Sequence, residues 1–140
     1  MRIAASMTRE QYLALVAREE KGRTPISHPE SELQRQCVRW YRNAYRDRRL
    51  LLVSVPNGAR VQRTQARVLK AEGLTAGVSD LLLFAPSGLL CIEMKAPKGR
   101  QSDDQKAWQQ AVTAAGYRYE IVRALPDFQR IVDKAMKGEK

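Results

Sequence analysis

Two short motifs in this 140-residue chain carry side chains that could act together on a metal ion. Residues 77–80 (GVSD) end at Asp80, and residues 93–95 (EMK) begin thirteen positions later with Glu93 and end at Lys95. Carboxylate oxygens are the ligands that Mg²⁺ and Mn²⁺ prefer in proteins. If the motifs meet in the fold, their two carboxylates and one amine could hold a divalent metal ion against a phosphodiester.

The apolar residues around these motifs predict two adjacent β-strands. Residues 79–85 (SDLLLFA) and 89–95 (LLCIEMK) are short apolar runs, and residues 86–88 (PSG) between them have the composition of a turn. We therefore expect a β-hairpin. Side chains alternate between the two faces of a strand, so Glu93 and Lys95 should point the same way. Because a charged pair at the end of an apolar strand is costly to bury without a partner, a bound metal ion would account for it.

The rest of the chain predicts one domain with a short N-terminal extension. A helix at residues 8–20 begins with a capping box, and the Gly and Pro residues that follow separate an extension over residues 1–28 from a domain over residues 29–140. Besides the hairpin, the pattern predicts helices at residues 29–47, 60–72, 102–115 and 126–137 and strands at residues 50–55 and 117–123. This order indicates the α/β (α+β) class, with a mixed four-stranded sheet covered by helices.

Apolar residues at helical spacing indicate which helix faces pack on the sheet. In the first helix of the domain the stripe is Leu33, Cys37, Trp40, Tyr41 and Ala44, and in the helix at residues 102–115 it is Trp108, Ala111, Val112 and Ala115. We interpret both tryptophans as packing residues and not as platforms for base stacking.

Cysteine and histidine are too few, and too far apart in sequence, for several common kinds of site. Cys37 and Cys91 fall on predicted apolar faces and are expected to be small core residues, without the spacing of a zinc site. His28, the only histidine, precedes a proline at a predicted helix start, which argues against a histidine-based catalytic triad.

The charge of the chain favours a polyanionic partner. Lys and Arg number 25 against 15 Asp and Glu, which gives a net charge of +10 and a pI of about 10.1. Nucleic acid is favoured over a membrane, since no segment has the pattern of a basic amphipathic anchor or the apolar length of a membrane span. A basic protein without a polyanionic partner is the alternative. The N-terminal residues lack the apolar core of a secretory signal, so we expect a cytoplasmic location.

Taken in chain order, the polar motifs match a known family. They are Glu32, Asn57-Gly58, Gly77-x-Ser79-Asp80, Glu93-x-Lys95 and Ser102-x-x-Gln105. Over residues 29–125 the chain resembles the VRR-NUC (virus-type replication-repair nuclease) domains of the PD-(D/E)XK superfamily. The resemblance implies a restriction-endonuclease-like αβββαβ core, here preceded by an extra N-terminal helix. Ser-Asp stands where the superfamily name has Pro-Asp, and Glu-x-Lys replaces Asp-x-Lys with both charges kept.

The resemblance implies roles for the residues of the two central motifs. Asp80 would be the central ligand of Mg²⁺ or Mn²⁺, and Glu93 the second. The backbone carbonyl of Met94 would complete the protein's share of the ligands. Lys95 would hold the attacking water or stabilise charge on hydroxide and phosphate.

Two further residues have both a functional and a structural interpretation. The resemblance places Glu32 at the edge of the site, as a ligand of a second metal ion or of its water, whereas as an acid in a first helical turn it could simply favour the helix dipole. Gln105 is the N3 residue of a capping box, which stabilises a helix by about 1 kcal/mol or less. The resemblance adds a contact of Gln105 with phosphate or water.

Residues in the predicted loops and on the basic helix are candidates for contact with nucleic acid. Asn57 and Gly58 would approach the sugar-phosphate backbone, although the same dipeptide also makes a simple turn. The candidates for phosphate contacts are Arg60, Arg63, Arg67, Lys98 and Arg100, each of which could equally be a solvated charge.

These observations lead to one main hypothesis and two alternatives. The first is a Mg²⁺- or Mn²⁺-dependent DNA endonuclease of a bacterium or of a phage-infected cell. It would act in replication, repair or recombination, with selectivity for branched or junction DNA. Since one site cuts one strand, and stand-alone members of the family resemble junction-resolving dimers, a homodimer is expected. The alternatives are a catalytically inert nucleic-acid-binding module and an RNA-binding accessory protein, the latter supported by charge alone.

Overall fold

The computed structural model describes residues 8–11, 13–14, 28–56 and 63–139. Its elements are α1 (Pro29–Ala44), a 3₁₀ helix (Arg46–Leu51), β1 (Leu52–Ser54), α2 (Arg63–Ala71), β2 (Leu81–Ala85), β3 (Gly88–Met94), α3 (Asp103–Ala114), β4 (Arg118–Val122) and α4 (Leu125–Met136). Residues 9–11 and 13–14 are also helical, within the segment predicted to form the N-terminal helix. In the described part of the chain, no helix is both long and apolar enough to cross a membrane.

The four strands form one mixed sheet in the order β1-β2-β3-β4. β1 pairs with β2, and β2 with β3, in antiparallel register, and β4 runs parallel to β3. The β2–β3 pair is the predicted hairpin. A parallel pair needs a crossover connection, which α3 provides between β3 and β4. The predicted four-stranded mixed sheet with flanking helices is therefore confirmed.

The core lies between one face of the sheet and the helices α1 and α4. Alternate residues of β2 and β3 point to this face because side chains alternate along a strand. The buried residues of the core include Leu81, Leu83, Leu90, Ile92, Met94 and Val122 from the sheet and Cys37, Tyr41, Phe128, Ile131 and Val132 from the helices. Glu93 and Cys91 point to the opposite face. Both cysteines are free and buried, as predicted.

Two of the predicted apolar stripes are only partly buried. On α3, Trp108 and Val112 are half-buried, but Ala111 and Ala115 are exposed, so the prediction for these two alanines was wrong. The physical reason is that α3 packs over the edge strand β4, where Trp108 contacts Tyr119, and an edge strand covers only part of a helix face.

The first helix also ends earlier than predicted. It stops at Ala44, which is exposed and not part of the core, and a 3₁₀ helix follows. Tyr45 packs in its place, with its ring stacked on that of Tyr41 at a centroid distance of 5.4 Å. The Tyr41 hydroxyl donates to the carbonyl of Arg48 at 2.6 Å, which holds the chain in this tighter turn.

Candidate active site

Asp80 lies immediately before β2, at the point where three strands meet. Its carboxylate Oδ2 accepts a hydrogen bond from the backbone N–H of Met94 at 2.8 Å. Its backbone carbonyl accepts from the N–H of Val55, just after β1, at 2.9 Å. Asp80 is therefore fixed both through its side chain to the end of β3 and through its main chain to the end of β1.

Gly77 allows the segment before Asp80 to pass against the first turn of α3. Its φ is +83°, a conformation that residues with a Cβ rarely adopt. A Cβ at this position would also overlap the backbone carbonyl of Asp104 and lie 2.8 Å from the backbone nitrogen of Gln105. Glycine is thus required here, because it brings the segment of Asp80 and the start of α3 into direct contact.

Glu93 and Lys95 form a buried ion pair at the end of β3. The side chain of Glu93 is 2% exposed and that of Lys95 is 7% exposed. Lys95 Nζ lies 3.7 Å from Glu93 Oε1, which also accepts a hydrogen bond from Gln105 Nε2 at 2.9 Å. Glu93 Oε2 is buried and has no hydrogen-bond partner in the described structure. The structure therefore brings Asp80, Glu93, Lys95 and Gln105 together.

Gln105 forms the predicted capping box and also makes a contact at the site, with Glu93. It is the N3 residue of the capping box of α3, since its Oε1 accepts from the backbone N–H of Ser102 at 2.9 Å and its own N–H donates to Ser102 Oγ at 3.2 Å. The capping bond uses the amide oxygen, which leaves the amide nitrogen to donate to Glu93. Helix capping thus aims the donor that orients the Glu93 carboxylate.

The surroundings of both carboxyl groups disfavour their negative charge. Burial, followed by the negative charge of Asp80, raises the pKa of Glu93 to about 8, although Lys95 opposes the shift. Burial also raises the pKa of Asp80, and the negative charge of Glu30 adds to this shift while the Met94 N–H opposes it. In the absence of another cation, Glu93 therefore keeps its proton to a higher pH than an exposed glutamate does.

The donor set fits a hard divalent cation. Among the described residues, no three His, Cys, Asp or Glu side chains are grouped closely enough to form a metal site by themselves. Mg²⁺ is commonly bound by one or two carboxylates and keeps several waters, so the pair of Asp80 and Glu93 is sufficient for it. The buried Glu93 oxygen without a partner is the atom that such an ion would satisfy.

The first helix contributes Glu30, and not Glu32, to this region. Glu30 Oε1 accepts a hydrogen bond from the backbone N–H of Ala96 at 3.4 Å, and after burial its negative charge is a further factor that raises the pKa of Asp80. Glu32 is instead 62% exposed, 3.9 Å from Arg35. Residues two apart on a helix point in nearly opposite directions, so only one of these acids can face the site. A sequence signal existed: Glu30 lies seven positions before the buried Cys37 and continues its stripe.

The loop after Lys95 is held from its other side by Arg123. The guanidinium Nη1 of Arg123 donates to the carbonyls of Ala96 at 2.6 Å and Gly99 at 2.9 Å. Since Glu30 accepts from the N–H of Ala96, the loop is bound between α1 and the end of β4. Sequence reasoning did not identify Arg123, which follows an apolar strand as many surface arginines do.

The structure describes only some of the residues that were predicted to contact nucleic acid. Lys98 and Arg100 are exposed on the loop that follows Lys95, and Arg67 is exposed on α2. Asn57, Gly58 and Arg60 lie outside the described residues, as does the side chain of Arg63.

Comparisons with known proteins agree with this architecture. A sequence model of one protein family, described as the VRR-NUC domain, matches residues 8–126 of the chain. A solved structure named "VRR_NUC domain protein" aligns with a TM-score of 0.67 and 17% identity, over 81% of this chain and 93% of that chain. A search of curated proteins found no match. At this identity the structural likeness shows the fold, while the family match comes from the sequence.

Proposed function

Since the chain belongs to the VRR-NUC domain family, we propose that it is a divalent-metal-dependent DNA endonuclease whose active site is formed by Asp80, Glu93 and Lys95. The observation that carries this proposal is the arrangement of the buried Glu93 and Lys95 beside the half-buried Asp80. A folded protein has little reason to bury Glu93 beside a second acid that raises its pKa unless a cation binds the two.

Asp80 and Glu93 are the proposed ligands of Mg²⁺ or Mn²⁺. The backbone carbonyl of Met94 is a further candidate, as is Glu30, through a water or a second ion. The ion would supply a hydroxide nucleophile at neutral pH, neutralise charge on the phosphate and assist the departing oxygen. The identity of the donor atoms, all of them oxygens, favours these ions over zinc.

The remaining groups act on orientation and charge. The Lys95 amine, 3.7 Å from Glu93 Oε1, is the proposed holder of the attacking water and of the negative charge that grows on the phosphate. Gln105 keeps the Glu93 carboxylate in one orientation through its 2.9 Å hydrogen bond. Both side chains belong to the packed structure, so they are in place before substrate arrives.

DNA is the proposed substrate, and its positioning is assigned to basic side chains around the site. The net charge of +10 supports a polyanion, and contacts to phosphate position a duplex without reading its sequence. The proposed contacts are Asn57, Gly58, Arg60, Arg63, Arg67, Lys98 and Arg100. Selectivity for branched or junction DNA and a homodimeric state belong to the same proposal and rest on the family resemblance.

Cleavage of supercoiled plasmid with Mn²⁺ tests the proposed function. The wild type should nick the plasmid, and Lys95→Ala should cut about 10²- to 10³-fold more slowly while it still binds Mn²⁺, because an electrostatic stabiliser is lost and the ligands remain. Asp80→Ala should lose both cleavage and metal binding. Lys106→Ala, which removes an exposed lysine of α3, serves as the control. Equal rates for the wild type and Lys95→Ala would point to a contaminating nuclease. DNA binding without cleavage by pure wild-type protein would indicate the inert module.

Two finer parts of the proposal, the preference for branched DNA and the dimeric state, are tested by separate measurements. Branched, flapped and plain duplexes should be cut at different rates, with branched DNA cut fastest. Sedimentation of the pure protein should show a dimer. Equal rates on all three substrates, or a monomer at working concentration, would remove those parts and leave the nuclease activity standing.

A further inference from the structure

A surface groove of about 820 Å³ opens beside Asp80 and runs along α1. One side of α1, the 3₁₀ helix and the ends of β1 and β2 line it. Its two acidic side chains are Asp80 and Glu30, which belong to the candidate active site. The rest of the lining contains four arginines, namely Arg35, Arg39, Arg42 and Arg49. The groove therefore connects a row of positive charges with the metal site.

These arginines have almost no acidic partners within the protein. Arg35 lies 3.9 Å from Glu32, and since both side chains are well exposed the pair is weak. In the part of the chain that the structure describes, Arg39, Arg42 and Arg49 form no ion pair with an acidic side chain. The positive charge of the groove is thus available to an external anion.

The spacing of the arginines adds mutual repulsion. Arg35 and Arg39 are four residues apart on α1, and Arg39 and Arg42 are three apart, so all three lie on one face. Like charges at these spacings destabilise a helix. A polyanion lying along the groove would convert this repulsion into attraction.

The other lining residues indicate which part of a nucleic acid fits. They include the polar Ser31, Gln34, Asn43 and Ser54, the apolar Val38, Leu52 and Leu81, and His28 at the start of α1, and the described lining contains no Phe, Tyr or Trp side chain. Bases of a single strand are usually held by stacking on aromatic rings, whereas phosphates are held by arginine. The groove is therefore suited to the backbone and not to the bases.

Its dimensions suit one strand. Arg42 lies twelve residues after Glu30 on α1, which corresponds to about 18 Å along the helix axis. One strand of DNA advances about 3.4 Å per nucleotide, so this length spans about five nucleotides. The volume is within the range of about 300–1,000 Å³ that small-ligand sites occupy, which admits one backbone but not a whole duplex.

We propose that the groove along α1 binds the phosphate backbone of one DNA strand, over about five nucleotides on one side of the phosphate that faces Asp80. This proposal rests on the proposed function in one respect, namely that the phosphodiester bond at Asp80 is the one that is cut. The binding itself is independent of cleavage and is measured without metal.

The test is the salt dependence of DNA binding in EDTA, measured by fluorescence anisotropy with a labelled single strand and with a labelled duplex. The variant is Arg39→Ala with Arg42→Ala. The loss of two phosphate contacts should make the slope of log K against log salt less steep by about 1.4 for the single strand or about 1.8 for the duplex. The matched control removes two exposed charges from α4, by Arg130→Ala with Lys134→Ala, and should leave the slope unchanged.

Conservative substitution separates charge from folding. Arg39→Lys with Arg42→Lys should keep the wild-type slope, and melting temperatures of all variants show that each is folded. A wild-type slope in the double alanine variant would overturn the proposal. An equal loss of slope in the α4 control would also overturn it, since binding would then be spread over the surface.

The same variants separate this proposal from the proposed function. If the wild type cuts no DNA but the groove variant alone loses slope, the groove proposal stands and the nuclease proposal fails. If the wild type cuts plasmid and the groove variant binds and cuts as well as it does, the nuclease proposal stands and the groove proposal fails.

Discussion

Glu93 is held in surroundings that oppose its negative charge. Its side chain is 2% exposed, and burial together with the charge of Asp80 raises its pKa to about 8 in spite of the nearby Lys95. A buried carboxyl of this kind is stable when it is protonated or when a cation faces it. The protonated and metal-bound forms should therefore compete, which makes pH a probe of the site.

We predict that in EDTA the wild type loses stability relative to Glu93→Gln as pH rises from about 4.5 to about 8. The folded protein keeps the Glu93 proton to a higher pH than the unfolded chain, in which the pKa is near 4.5. The resulting stabilisation is complete below that value and is lost as pH rises through about 8. Thermal unfolding of both proteins across the range measures the difference. Addition of Mn²⁺ at the upper end should stabilise the wild type more than the variant. A difference that does not change with pH would contradict the prediction.

Glu30 and Glu32 give a second prediction at the level of single residues. Glu30→Gln should lower cleavage by about 10- to 100-fold and raise the Mn²⁺ concentration needed, the range typical of groups that support a metal site. Glu32→Gln, with the same change of charge two positions away, should behave nearly as the wild type. Initial rates over a Mn²⁺ titration make the comparison. If Glu32→Gln lowered cleavage more than Glu30→Gln, Glu32 would be the acid that supports the metal site.

The sequence indicated the choice between these two acids only indirectly, through the buried stripe of the helix. Both lie in the first turn of a predicted helix, and the resemblance pointed to Glu32. The rotation of α1 about its axis decides which acid faces the site, and tertiary packing of Cys37 and Tyr41 sets that rotation. The buried stripe, extended by two turns to Glu30, contained this information.

Among the elements, the contact between Gly77 and α3 should be the most sensitive to mutation. Gly77→Ala combines a strained φ with overlap against the carbonyl of Asp104, so we predict destabilisation of more than about 1 kcal/mol and a loss of activity beyond what stability explains. Gly88→Ala is the matched control, because its φ is +119° but a Cβ there meets nothing within 4 Å. Chemical denaturation of both variants gives the two free energies. Equal losses would show that the contact with α3 contributes nothing.

The elements were predictable where local chemistry determines them. The β2–β3 hairpin follows from the turn at residues 86–88, and the start of α3 follows from its capping box. The exposure of Ala111 and Ala115 was not predictable, because it depends on α3 covering an edge strand, and strand order is a property of the whole sheet. The early end of α1 likewise depends on packing of Tyr41 and Tyr45.

For the whole molecule, the sequence indicates the sign of the charge but not its location. The net charge of +10 predicted a polyanionic partner, and the candidates for contact were taken from loops and from α2. The groove instead gathers arginines of α1 and the 3₁₀ helix beside Asp80. These arginines converge because the 3₁₀ helix turns back toward α1. No local sequence pattern predicts that turn. The spacing of Arg35, Arg39 and Arg42 on one helix face was the only signal available.

The most direct measurement is anomalous diffraction from crystals of the wild type soaked in Mn²⁺. An ion should appear between the carboxylates of Asp80 and Glu93, in contact with the Glu93 oxygen that otherwise lacks a partner, and Asp80→Ala crystals should lose it. An ordered Mn²⁺ bound elsewhere in the protein, with none between Asp80 and Glu93, would contradict the proposed active site.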